Sequence, residues 1–290
     1  MAKSRKGAEG TKGRLAASQM RVNRRRWDEV VEIHAKAPFY DIEGFRRGGL
    51  SLHGIELDEL GPVEGKKLLH LQCHFGLDTL SWARLGAQVT GVDYSAPGIA
   101  MARGLAKELD IPARFVRSDL YALPKVLEGR FDIVFTSYGV LSWLPDLDRW
   151  AKTVARYLKP GGTFYMVEGH PAADQYDSEP RVRGLRLVRP YFPGTKPIRF
   201  VTPGDYTDFD AKVRNRVSYE WGHPLGEILT ALAHAGLRIE FVHEFPYCAW
   251  RMFPFMKRGK DGWWRLPAGM PSMPLMFSVR AAAPLKRGSR

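Results

Sequence analysis

Three apolar runs in this chain end in polar residues whose types and spacing could hold a ligand. Lys67 to Leu71 breaks into the turn Gln72-Cys73-His74-Phe75-Gly76. Val89-Thr90-Gly91-Val92 ends in Asp93, seventeen residues after Gly76, and Ala113-Arg114-Phe115-Val116 leads to Ser118-Asp119-Leu120. A tight turn lets backbone amides approach a ligand, and a carboxylate at the end of the second strand can accept both hydroxyls of a ribose. Asp93 stands where that role requires. Asp119 is placed to accept from an adenine exocyclic amine, with the Leu120 amide donating to a ring nitrogen. Taken singly, either carboxylate is as readily a turn or helix cap. Three strand ends keeping the pattern together point to a nucleoside site.

The elements that must position these residues follow from the alternation of strand-like and helix-like segments. A fourth apolar run, Phe131 to Ser137, leads through a helix to Leu158-Lys159-Pro160-Gly161-Gly162 and a fifth strand, Thr163 to Glu168. Such alternation predicts a Rossmann-like, doubly wound α/β sheet whose ligands sit at the carboxyl ends of the strands. A dinucleotide fingerprint wants Gly-x-Gly-x-x-Gly after the first strand, so that open amides can meet a pyrophosphate. Here that turn has one glycine of the set, and His74 and Phe75 would crowd a pyrophosphate. A ligand without phosphate suits the turn better than NAD does.

The chain has 290 residues, is 44% hydrophobic and carries a net charge of +13. Residues 1–26 hold nine Lys/Arg against one Glu and residues 281–290 hold three Lys/Arg, leaving 32 basic and 30 acidic side chains between them. The basicity therefore belongs to the ends, and nucleic acid is a disfavoured partner for a nearly neutral body. No apolar run reaches the roughly 18 residues of a membrane span. With no secretory signal, and only Cys73 and Cys248 as thiols, a reducing cytoplasmic compartment is expected and neither disulfides nor a metal cluster are. The expected organisation is a disordered basic tail (1–22), an N-terminal helical cap (23–60), a ligand-binding core (61–170), an aromatic, arginine-rich insert (171–213), closing strands and a helix of the core (214–281) and a basic tail (282–290). Nothing in the chain sets an oligomeric state.

Leu68 to Gly76, Asp93, Ser118-Asp119-Leu120, Phe131 to Val134 and Leu158-Lys159-Pro160-Gly161-Gly162 together resemble a class I S-adenosylmethionine-dependent methyltransferase. The resemblance covers about residues 61–170, and the Leu-Lys-Pro-Gly-Gly segment is its most specific short piece. It implies about seven strands with the last antiparallel, and S-adenosyl-L-methionine as cofactor. Carried over, Gln72, Cys73, His74 and Gly76 fall in the methionine-binding turn. Asp93 with Tyr94 becomes the ribose site, Ser118, Asp119 and Leu120 the adenine site, and Ser137 and Tyr138 lie near the sulfonium. The chain departs from the family pattern in having His70 in place of an acid, and Gln72 and His74 in place of glycines.

Methyl transfer from a sulfonium is an in-line displacement, helped mostly by holding the acceptor behind the methyl group. For a hydroxyl acceptor, His170 after the fifth strand and His223 before the last helix are the candidate general bases, although a structural histidine or helix cap is the favoured role of each. Asn23, Trp27 and Tyr40 are expected to close over the cofactor. Tyr176, Tyr191, Phe192, Phe200, Tyr206 and Phe209, with Trp143, Trp221, Tyr247 and Trp250, could line an apolar pocket for a small-molecule substrate or form a satellite core. Arg181, Arg183, Arg186 and Arg189 could meet a substrate carboxylate or phosphate. A small organic acceptor is the expected substrate. RNA methylation through the basic arm, or cofactor binding without catalysis, are the rival readings.

Overall fold

The computed structural model describes residues 2–208 and 210–285, with side chains from residue 13 onward. In chain order its elements are α1 (Ala2–Lys36), α2 (Ile42–Arg46), α3 (Gly54–Leu60), β1 (Lys67–Leu71), α4 (Leu77–Arg84), β2 (Gln88–Asp93), α5 (Ala96–Glu108) and β3 (Ala113–Arg117). There follow β4 (Phe131–Thr136), α6 (Leu147–Tyr157), β5 (Leu158–Gly169), β6 (Ile198–Val201), β7 (Val217–Glu220), α7 (Leu225–His234), β8 (Arg238–Phe245), β9 (Lys257–Arg258), β10 (Trp264–Arg265) and β11 (Met276–Ala282). Seven strands form one sheet in the order β3-β2-β1-β4-β5-β11-β8. Its first five strands pair in parallel, and β11 runs antiparallel between β5 and β8. This is the expected doubly wound sheet with a reversed last strand.

The sheet is buried on both faces, so its central strands read as apolar runs rather than as alternations. Leu69, Val134, Phe164 and Met166 turn to one side, where Trp150 and Val154 of α6 and Leu232 of α7 cover them. Leu68, Ile133, Phe135, Tyr165 and Val167 turn to the other, with Trp82 of α4 and the aromatic segment 246–275. The helices begin where side chains satisfy their free amides. Ser95 caps α5 through Gly98 N at 3.2 Å, and Asp146 caps α6 through Arg149 N at 2.9 Å.

The structure departs from the sequence expectations at three places. Residues 2–22, expected to lack structure, continue α1 toward its N-terminus. That stretch has no proline and many good helix formers, and a helix held at one end propagates at little cost. The anchor is Asn23, whose amide pairs with both backbone groups of Tyr219 (2.7 and 2.8 Å). Second, Leu158 to Gly162 belong to β5 itself. Phe131 pairs with Leu158 and Ile133 with Thr163, so an irregularity absorbs the extra residues, with Gly161 at φ 73°. Third, β7 was expected among the closing strands of the core. It pairs instead with β6 of the insert and leans on α1, because its partner in register is Ile198–Val201. Tyr247 and Trp250 pack with Phe253, Met256 and Trp263 as a satellite core beside the sheet, one of the two arrangements open to them in the sequence. Phe209 and residues 286–290 of the basic tail lie outside the described residues.

Candidate functional site

The rim at the carboxyl ends of β1 to β4 is stitched together by hydrogen bonds between the expected site residues. The turn after β1 places three residues in the left-handed region, Gln72 (φ 57°), His74 (φ 51°) and Gly76 (φ 84°). At Gly76 only glycine fits, since a Cβ would stand 2.7 Å from the Phe115 ring and 2.9 Å from Ala102. A left-handed residue with a side chain costs about 1 kcal/mol, and Gln72 and His74 each have a bond to offset it. Gln72 Nε2 donates to Val140 O at 3.0 Å, while the His74 side chain meets His34 of α1. Cys73 differs from its neighbours. Its thiol turns into the core beside Phe115 and Ile99, and burial raises its pKa well above the ordinary value, so only its backbone faces the rim.

Asp93 ties the turn to β2. Its Oδ2 accepts the His74 amide at 2.9 Å and its Oδ1 the Ser95 amide at 2.8 Å. Burial pushes its pKa up to about 6, against the backbone amides that favour the ionised form. Ser118 N donates to Asp93 O at 2.9 Å, which carries the rim on to β3. Asp119 then turns one oxygen back to Tyr121 N at 2.8 Å, the Ser118 hydroxyl donates to the Asp119 carbonyl at 2.9 Å, and Leu120 is buried beneath. Asp93, Asp119 and Asp28 of α1 all act electrostatically on the Tyr94 hydroxyl, whose pKa burial raises well above the usual range. The structure thus brings the expected ribose and adenine residues to one place.

The end of β4 joins the same rim. His70, 2% exposed, bridges Thr79 Oγ1 at 2.8 Å and Ser137 Oγ at 3.2 Å, and burial holds its pKa down to about 4. A neutral imidazole therefore stands where the family pattern has an acid, and it occupies the Ser137 hydroxyl. The Tyr138 hydroxyl donates to Glu56 Oε2 of α3 at 2.8 Å. Burial raises the Glu56 pKa to about 8. The loop after Tyr138 is held by Glu168, the last polar residue of β5. Its carboxylate accepts the amides of Gly139, Val140 (2.8 Å), Leu141 (3.2 Å) and Gly169 (2.8 Å).

Helix α1 roofs the rim. Trp27 makes edge-on contacts with the rings of His34, His74 and Trp143, at centroid distances of 5.6, 5.2 and 5.3 Å. Asn23 serves β7 rather than the cleft. Tyr40 pairs with Tyr206 of the insert. Arg26 reaches the carbonyls of Asn215 (3.1 Å) and Gly204 (2.8 Å), fixing the insert to the helix.

Neither expected base is free. The Nδ1 of His170 accepts the Ala172 amide at 3.0 Å, and its Nε2 lies 2.8 Å from Glu244 Oε1 of β8, near enough for an ion pair but without hydrogen-bond alignment. His223 Nε2 donates to Leu144 O at 2.8 Å, and burial lowers its pKa. Both rings hold loops in place. His223 and Trp221 also line a surface groove of about 460 Å³ with Asp146 and Glu227. In the insert, Arg186 pairs with Asp177, and Arg189 lies over the Phe200 ring.

Asp28, Glu56, Glu168 and Asp205 escaped the sequence reading. Glu168 carried a signal, a polar residue ending the fifth apolar run. Asp28 follows Trp27 on the segment expected to close over the cofactor, but no local pattern set it apart.

Comparisons with known proteins agree with this architecture. Residues 69–166 match the family model described as "Methyltransferase domain". The ubiquinone biosynthesis O-methyltransferase of Alkalilimnicola ehrlichii is 36% identical over 139 residues, 46% of this chain and 56% of that protein. The enzyme of the same name from Albidiferax ferrireducens is 33% identical over 132 residues, 44% of this chain and 52% of its own length. The chain thus spans about half the length of the curated relatives it matches. Among solved structures, an S-adenosylmethionine dependent methyltransferase from Mesorhizobium loti superposes with a TM-score of 0.52 at 25% identity, covering 78% of this chain and 94% of that one. A putative one from Listeria monocytogenes gives a TM-score of 0.56 at 18% identity, over 79% and 95%. Residues 69–166 are therefore similar to the methyltransferase domain family, and the seven-stranded fold is that of S-adenosylmethionine-dependent methyltransferases.

Proposed function

We propose that this chain is an S-adenosylmethionine-dependent methyltransferase acting on a small organic acceptor in the cytoplasm. The observation that carries the reading is a set of unpaired polar atoms on the stitched rim. Gln72 Oε1, Tyr94 OH and Asp28 Oδ1 are buried without a hydrogen-bond partner. A buried polar atom left unpaired costs about 1–3 kcal/mol, so such a group calls for a polar ligand. Asp93 adds to the fit, because a carboxylate has about four lone-pair sites and two are taken by His74 N and Ser95 N. Gln72 and the backbone of residues 73–76 would hold the methionine part, Asp93 and Tyr94 the ribose, and Asp119 and Leu120 the adenine.

When bound, the cofactor supplies a methyl group activated by its sulfonium. The work left to the chain is positioning. Glu168 fixes the loop after β4, so that Val140 O can hold Gln72 and Trp143 can close on Trp27. Those indole rings exclude water above the turn and offer faces that favour a cation. The O-methyl transfer named for the relatives supports a hydroxyl acceptor, with the insert as its cap. A thermal-shift titration tests the reading: S-adenosylhomocysteine should raise the melting temperature and NAD should not. Stabilisation by NAD alone would end it.

A further inference from the structure

Three side chains from three separate parts of the chain form a line above the first turn. Asp205 of the insert accepts from His34 Nε2 at 2.9 Å, and His34 Nδ1 meets His74 Nε2 at 2.8 Å. His34 is fully buried and Asp205 is 3% exposed. The amide and hydroxyl of Thr207 each reach the same Asp205 oxygen at 2.9 Å, and the Arg26 guanidinium lies 3.8 Å from the other. Tyr40 OH sits 3.4 Å from His34 Nδ1 and pairs with the Tyr206 hydroxyl.

Donor and acceptor rules constrain the protons along this line. Burial works against the Asp205 carboxylate, yet its bonds to His34 and Thr207 hold its pKa below the ordinary range. An ionised carboxylate only accepts, so His34 carries a proton on Nε2, and the line continues to His74 when Nδ1 keeps its lone pair. His74 must then donate from Nε2. Its ring stays neutral, since burial drives its pKa well down. The insert carboxylate thus decides, through one imidazole, which nitrogen of a second imidazole is protonated and where that ring points. His74 sits in left-handed backbone, and its amide is the one that Asp93 holds.

We propose that Asp205 and His34 are positioning residues for the cofactor turn, holding His74 in the tautomer and backbone geometry that shape the turn for its ligand. The identity of that ligand rests on the methyltransferase reading above. Seating the insert and filling the turn are then energetically coupled, and each favours the other by the same factor.

The test compares wild type, Asp205→Ala, His74→Gly and the double variant, each checked for a cooperative melt. Glycine keeps the left-handed turn accessible while removing the end of the line. Calorimetry with S-adenosylhomocysteine should show Asp205→Ala weakening binding about tenfold in the wild-type background and by less than about twofold in the His74→Gly background. Nitrogen-15 spectra should find wild-type His74 protonated on Nε2, with mixed tautomers in Asp205→Ala. Asp205→Ser replaces the alanine variant if that one does not fold. Equal losses of affinity in both backgrounds, or His74 protonated on Nδ1 in wild type, would overturn the proposal. If wild type binds no S-adenosylhomocysteine, the methyltransferase reading falls and the tautomer spectra alone decide: Nε2 protonation that depends on Asp205 supports the line, and independence removes it.

Discussion

The carboxylate of Asp93 accepts the backbone amide of His74 at 2.9 Å, so the residue expected to hold a ribose also holds the turn expected to meet the methionine. Asp93→Ala should therefore act twice. Loss of two hydrogen bonds to a charged group predicts weaker S-adenosylhomocysteine binding by about 3 kcal/mol, roughly a hundredfold. Loss of the acceptor for the His74 and Ser95 amides predicts a less stable protein by about 1–3 kcal/mol. Calorimetry and urea unfolding on the same samples measure the two separately. Unchanged affinity would remove Asp93 from the site.

The sheet was legible in the sequence because it is buried on both faces. Continuous apolar runs such as Phe131–Thr136, ending in polar turns, mark parallel strands without knowledge of their partners. The rim residues Gln72, Asp93 and Asp119 were legible for the same reason, as each stands at a strand end. What was not legible depends on contacts between distant segments. Asp205 and His34 are 171 residues apart, and neither has a local pattern that names the other. The roles of His170 and His223 could not be decided in sequence because the groups beside them, Glu244 and Leu144 O, lie elsewhere in the chain. The partner of Tyr138 is just as distant in sequence, Glu56 being a capping residue of α3.

His70 makes stability depend on pH in a defined window. Its folded pKa of about 4 lies below the ordinary 6.5, so the folded state binds fewer protons than the unfolded chain between those values. Its contribution is fully present above pH 6.5 and is lost as pH falls toward 4, amounting to about 2–3 kcal/mol between pH 7 and 4.5. Asp93, raised to about 6 from 3.8, works in the opposite direction over an overlapping range. Comparing His70→Gln with wild type isolates the histidine. Urea unfolding at pH 7 and 4.5 should show the variant losing about 2–3 kcal/mol less than wild type on acidification; an identical loss would mean that His70 is not held neutral.

Glu168→Gln tests the loop after β4. A glutamine presents an amino group to backbone amides that the carboxylate now accepts, leaving donors facing donors. The expected cost is about 2–4 kcal/mol in unfolding free energy. Hydrogen exchange at Val140 and Leu141 should speed up more than exchange in β4. Uniform acceleration through the sheet would assign Glu168 to global stability rather than to this loop.

A crystal structure with S-adenosylhomocysteine measures the central claim most directly. The account predicts density along the rim under α1, with ribose oxygens within hydrogen-bond distance of Asp93 and the adenine beside Asp119 and Leu120. Ligand density away from that rim, or His74 and Trp27 filling the space unchanged under saturating ligand, would contradict it.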